Sequence, residues 1–167
     1  MTAQATLAPR KASAATQLGG KYLTFKLSGE EYGLEILKVR EIIKIMDITA
    51  VPQMPAYVKG VVNLRGKVIP VIDLRLRFGL PEAEHTEETC IIVVNVGTEM
   101  GVVVDTVQEV LDITDQQIEP PPALGGDVDT EFILGMGKVG DRVKILLDID
   151  RVLTGDEKAM LESLTED

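Results

Sequence analysis

The chain has 167 residues, with 17 Lys and Arg against 27 Asp and Glu and a formal net charge of −10. Such a surface repels phosphate backbones, and its basic residues stand singly among acidic ones, so nucleic acid is excluded as a partner. A single cysteine, Cys90, excludes an intrachain disulfide; no run approaches the ~18 apolar residues of a membrane span, and residues 1–20 lack the apolar stretch of a signal peptide. The expected setting is cytoplasmic, without direct membrane insertion. The apolar residues are mostly Val, Ile and Leu, with three Phe, three Tyr and no Trp. That bias favours strands, and the expected class is mainly β.

Residues 1–20, rich in Ala, Thr, Ser, Gly and Gln, read as a disordered tail. Tyr22 to Leu27 alternates as a strand. Ser28-Gly29-Glu30 is a turn, and Glu31 to Ile36 is the return strand. Leu37 to Arg40 reads as a short helical turn and Glu41 to Met46 as another strand. Pro52 and Pro55 mark a loop, because proline cannot sit in a central strand. Lys59 to Leu74 then places two β-branched runs around Arg65-Gly66, the pattern of a hairpin whose second strand ends at Asp73. Asp73 to Phe78 is a short helical segment stopped by Gly79-Leu80-Pro81. Residues 82–89 form an acidic loop. Strands resume at Cys90–Val96 and Gly101–Val104, with a further apolar segment at Val107–Ile113. Pro120-Pro121-Pro122 and Gly125-Gly126 mark an irregular loop, followed by strands at Phe132–Leu134 and Val143–Ile149. Thr154-Gly155-Asp156-Glu157 is a capping box, so 154–164 is expected to be a C-terminal helix with Met160, Leu161 and Leu164 inward.

The chain contains a duplication. Offset by 68, residues 29–45 lie over 97–113 without a gap, with six identities in seventeen positions: Gly29/Gly97, Glu31/Glu99, Gly33/Gly101, Val39/Val107, Glu41/Glu109 and Ile45/Ile113. Offset by 75, residues 60–78 lie over 135–153, with Gly60/Gly135, Val68/Val143 and Asp73/Asp148 identical. Two copies of a small β module must hide their strand edges, and each alone has a marginal core. Two small barrels sharing a core follow, the first within about 21–80 and the second within 90–153, folding as one unit. The copies differ at the hairpin tip: Arg65-Gly66 in the first, Gly140-Asp141 in the second. The second is ordinary turn chemistry. Arg65 is an addition the fold does not require, and it marks a surface for another protein. Glu41 and Glu109 recur in both copies, so a structural role suits them as well as a functional one.

Catalytic constellations are missing. Gly135-Met136-Gly137-Lys138-Val139-Gly140 matches G-x-G-x-x-G, but a strand pattern follows where phosphate binding needs a helix. His85, the one histidine, lies in the acidic loop with no element fixing carboxylates around it. Asp127-Val128-Asp129-Thr130-Glu131 lacks the calcium-loop spacing and reads as solvated loop. Cys90 opens an apolar run and reads as a buried, inert thiol. Asp73 and Asp148 are strand-end turn or cap residues. An enzyme is not expected, nor a metal or cofactor.

Glu30 to Ile42 (E-E-Y-G-L-E-I-L-K-V-R-E-I) and Gly60 to Arg75 (G-V-V-N-L-R-G-K-V-I-P-V-I-D-L-R) closely resemble the CheW family of bacterial chemotaxis coupling proteins, across about Lys21 to Leu164. The resemblance implies two SH3-like five-stranded β-barrels. It implies an adaptor that joins the cytoplasmic tip of methyl-accepting chemotaxis receptors to the regulatory domain of the CheA histidine kinase. Carried over by motif, Arg65, Glu41 and Val39 lie on a receptor-facing surface, with Val107 bordering it from the second copy. Lys59, Gly60 and Val61 lie on or near a kinase-facing edge. The alternative is the same module as part of a CheV-like adaptor or of the kinase itself. With Met1 at its start and its last helix near its end, the chain is expected to leave no room for the further domains those carry.

Overall fold

The Val/Ile/Leu runs serve two cores at once. A computed structural model describes residues 18–121 and 132–164. Its strands are β1 (Gly20–Leu27), β2 (Glu30–Glu35), β3 (Val39–Lys44), β4 (Val58–Leu64), β5 (Lys67–Asp73), β6 (Cys90–Asn95), β7 (Glu99–Val104), β8 (Thr106–Ile113), β9 (Ile118–Glu119), β10 (Ile133–Val139) and β11 (Arg142–Leu147). Helices are α1 (Leu74–Arg77) and α2 (Gly155–Ser163). A five-stranded sheet runs β3-β6-β7-β5-β4, and a six-stranded sheet runs β8-β1-β2-β11-β10-β9. Side chains alternate across a strand, so a run buried on both faces feeds two clusters. Ile91 and Val93 join Val62, Ile69, Val71 and Val103 inside the first sheet. Ile92 and Val94 face the other way, into a core shared with Leu23, Phe25, Leu34 and Leu147 of the second sheet. The second sheet encloses a smaller cluster around Tyr22, Ile113 and Leu146.

The duplication maps one sheet onto the other, including the parallel pairs β5/β7 and β2/β11. It also corrects the expected boundaries. The barrels do not divide as 21–80 and 90–153, because the copies exchange hairpins. β1 and β2 join β8 to β11, while β6 and β7 complete β3 to β5. A lone hairpin is marginal in water. The exchanged hairpins carry apolar residues on both faces, and pairing into the other copy's sheet covers both. All three Phe of the chain stack in one ladder with Tyr32: Phe25–Tyr32 at 5.8 Å, Tyr32–Phe78 at 5.9 Å and Phe78–Phe132 at 4.8 Å.

Each sheet is closed by the segment leaving its first edge strand. After β3, Thr49 pairs with Val61 of β4. After β8, β9 pairs with Met136 and Gly137 of β10. Repeat-equivalent glycines make room for both closures. A Cβ on Gly60 would collide with the Thr49 carbonyl, and one on Gly135 would lie 2.8 Å from the Glu119 carbonyl. Gly60 also sits at φ +141°, a conformation side chains resist. Gly60→Ala should therefore cost about 3 kcal/mol, combining backbone strain with overpacking. A denaturant titration checks this; a loss well under about 1 kcal/mol contradicts it.

Several elements differ in detail from the sequence reading. The helical turn occupies Ile36–Lys38, and Val39 already belongs to β3. Glu30, expected in a turn, opens β2. β11 stops at Leu147 and Ile149–Arg151 forms a 3-10 turn, the counterpart of α1 under the offset of 75. Asp73 and Asp148 cap these two turns, accepting from the backbone N–H of Arg75 (2.8 Å) and Asp150 (3.1 Å). α2 starts at the expected capping box and buries Leu161, with Met160 and Leu164 at the core's margin. Cys90 is half-buried at the edge of the shared core. The expected tail lies outside the described residues apart from Leu18 to Gly20, and so do residues 122–131, including Asp127 to Glu131. Among the described residues no helix is long and apolar enough to cross a membrane.

Candidate functional site

Arg65 and Gly66 are the two central residues of the β4–β5 turn, between paired Leu64 and Lys67. Both have positive φ, 55° and 88°, as a type I′ turn demands. Gly66 is at ease there; Arg65 is not, at a cost of about 1–2 kcal/mol. The Arg65 side chain is 69% exposed and pairs with the Glu41 carboxylate on β3. An exposed pair of this kind contributes little in water, so it does not repay the strained arginine.

The pair belongs to a larger charged mouth. Lys67 donates to Glu99 at 2.8 Å, and Arg40 approaches the same carboxylate at 3.9 Å. The Lys67 hydrogen bond, with its charge and that of Arg40, holds Glu99 below the usual carboxylate range despite some desolvation. Sequence reading missed Lys67, Glu99 and Arg40. The signal for two of them was present: Glu31/Glu99 and Lys67/Arg142 are repeat-equivalent positions. In the second sheet Arg142 pairs with Glu31 at 2.9 Å. There the elaboration runs inward. Lys144, where the first copy has Ile69, is 5% exposed and also pairs with Glu31, itself 5% exposed. The Lys144 hydrogen bond is the chief reason the Glu31 carboxyl lies below its ordinary range.

The other expected residues are distributed as follows. Val39 lies two positions from Glu41 on β3 and packs against the shared core from the first sheet. Val107 packs against that core from the second sheet, opposite Phe25. The fold thus joins Arg65 directly to Glu41, while Val39 and Val107 meet the core between the sheets. Lys59, Gly60 and Val61 lie at the far end of β4 from Arg65. Lys59 bonds Glu82 at 2.9 Å beside a hollow of about 390 Å³ lined by Glu82, Glu84 and His85. The edge at Val61 is not open, since Thr49 occupies it with bonds of 2.8 and 2.9 Å. Leu37 (94% exposed) and Ile42 were also missed; they stand out as large apolar side chains facing solvent. The G-x-G-x-x-G segment forms β10 and its turn into β11, as the strand reading required.

One further clasp ties the sheets together. Arg75 grips Asp105 through Nε and Nη2, each at 2.7 Å, and donates to the Pro81 carbonyl at 2.9 Å. Asp105 also accepts from Ser28 N at 2.8 Å. Burial raises the Asp105 carboxyl, but these bonds and the Arg75 charge outweigh it and leave a net lowering. The lowered carboxyl stabilises the fold fully above the ordinary value of 3.8, and that contribution disappears as pH falls through the folded value. Asp105→Asn should cost about 2 kcal/mol at pH 7 and progressively less towards pH 3. Denaturation at both pH values checks this; an equal deficit at each contradicts it.

Two pseudo-symmetric barrels around a shared core, with a charged cluster about an exposed arginine at one hairpin tip, are the architecture of a scaffold protein. The comparisons with known proteins agree. The family model for the CheW-like domain matches residues 21–157. The chain is 40% identical over 150 residues to the chemotaxis protein CheW of Klebsiella aerogenes, covering 89% of this chain and 90% of that one. It is 38% identical over 143 residues to the Bacillus subtilis chemotaxis protein CheW, covering 84% and 91%. The crystal structure of the scaffolding protein TtCheW from Thermoanaerobacter tengcongensis superposes with a TM-score of 0.76 at 38% identity, over 84% of this chain and 97% of that one. The chain belongs to the CheW family and is a chemotaxis adaptor.

Proposed function

We propose that this protein couples methyl-accepting chemotaxis receptors to the CheA histidine kinase, holding both so that receptors control kinase activity. The receptor's cytoplasmic tip meets Arg65, Glu41 and Val39, with Val107 bordering the contact from the second sheet. The kinase's regulatory domain meets the surface at Lys59, Gly60 and Val61, beside the strand edge that Thr49 already pairs. The protein works in the cytoplasm, attached to membrane receptor arrays through these contacts, and takes no cofactor. The observation that carries this reading is Arg65: a planar cation kept at a strained tip, most of it in water, with no return in stability. Arg65 follows the last residue of β4 whereas Lys59 to Val61 lie in its first four residues, a separation that leaves room for both partners at once.

Co-sedimentation tests this directly. Receptor signalling fragments on vesicles should bring down the kinase only when this protein is added. Equal kinase recovery with and without it would overturn the proposal.

A further inference from the structure

The Glu157 carboxylate is shared among three elements. In the capping box of α2, Glu157 N donates to Thr154 Oγ1 at 3.1 Å and Glu157 Oε1 accepts from Thr154 N at 2.8 Å. A capping box needs nothing more. Yet the same Oε1 accepts from Arg77 Nη2 at 3.2 Å, from the end of α1. Arg77 Nε donates to the Val152 carbonyl at 2.8 Å, and its guanidinium carbon lies over the Tyr57 ring, 5.2 Å from the centroid. Tyr57 in turn accepts at its carbonyl from Asp73 N at 2.8 Å. Its hydroxyl is buried beside Glu157 without a hydrogen bond of ordinary geometry. Burial first, then the Glu157 carboxylate, pushes the phenol up to about 12. Tyr57 is followed at once by Val58, the first residue of β4, and then by Lys59, Gly60 and Val61.

We infer that Glu157 and Arg77 are positioning residues for the kinase-facing edge: through them helix α2 sets the place of Tyr57, and hence of Lys59 to Val61. The inference rests on reading that edge as the kinase contact. α2 is therefore more than a lid on the shared core. The edge is fixed from three sides, by Thr49 along β4, by Glu82 on Lys59 and by the Glu157–Arg77–Tyr57 stack. Loss of the third leaves the strand paired, with Tyr57 held by its packing against the shared core and by the Asp73 N–H bond to its carbonyl.

Two variants separate this role from plain helix stability. Glu157→Gln keeps a side chain that completes a capping box but removes the charge that holds Arg77. Thr154→Ala removes the cap and keeps the Glu157–Arg77 pair. Binding of each full-length variant to the isolated kinase regulatory domain and to a receptor signalling fragment is measured by calorimetry. Glu157→Gln should weaken the kinase-domain complex about fivefold or more, in the range of ordinary coupling between sites, with receptor binding unchanged. Thr154→Ala should lower thermal stability with kinase-domain binding unchanged. Wild-type affinity in Glu157→Gln, or an equal loss in Thr154→Ala, overturns the inference. Failure of the unaltered protein to bind the kinase domain overturns the reading of the edge itself.

Discussion

Arg65→Asn should make the protein more stable and less functional. Asn-Gly is the favoured pair for a turn with positive φ at both central residues, so the substitution relieves strain at φ 55°. The exposed ion pair with Glu41 is lost, at little cost in water. Asn tolerates positive φ better than Arg, so part of the strain is relieved and the net is a small gain in stability. In a chain of this size that raises the melting temperature by about 2 °C. Receptor-fragment binding should fall at least about tenfold, equivalent to 1.4 kcal/mol or more at a central arginine contact. A variant that gains stability and binds as before would show that the tip is ordinary turn structure. Lost stability together with lost binding would show that Arg65 acts through the fold.

Glu31→Ala should have the largest effect on stability. Lys144 is buried and Glu31 is its partner, so the substitution leaves an ammonium uncompensated inside the second sheet. Removing one side of a buried pair costs about 3–5 kcal/mol. Replacing both, as Glu31→Leu with Lys144→Met, should recover most of the loss, because the penalty comes from the stranded charge. The equivalent change in the first sheet, Glu99→Ala, faces an exposed Lys67 and should cost about 1 kcal/mol or less. Denaturant titration of the four proteins measures the contrast. Similar losses for Glu31→Ala and Glu99→Ala would show that burial does not set the energetics here.

The contrast also shows what the sequence made legible. Repeat offsets located Glu31 and Glu99 as equivalents, and they located the closure glycines Gly60 and Gly135. They could not reveal that Lys144 turns inward where Ile69 stands in the first copy, because that depends on what surrounds the side chain. Hairpin exchange was hidden for a related reason. Periodicity records which face of a strand is buried, whereas both faces of β6 are buried against different partners. The equivalence of the copies is compatible with either pairing. At the candidate site, turn asymmetry singled out Arg65, but its partner Glu41 lies 24 residues away and is joined to it only by barrel closure. Lys59 to Val61 illustrates the opposite case. The motif placed them on or near a kinase-facing edge, and could not show that the chain itself pairs along that edge at Thr49.

On this reading one small scaffold passes receptor control to the kinase. Reconstitution on vesicles tests it most directly: receptor signalling fragments, kinase and ATP, with and without this protein, reading kinase autophosphorylation. Strong, receptor-dependent kinase activity is expected only in the complete mixture, and little of it when Arg65→Asn replaces the unaltered protein. Receptor-dependent kinase activity that is the same whether or not this protein is present would contradict it.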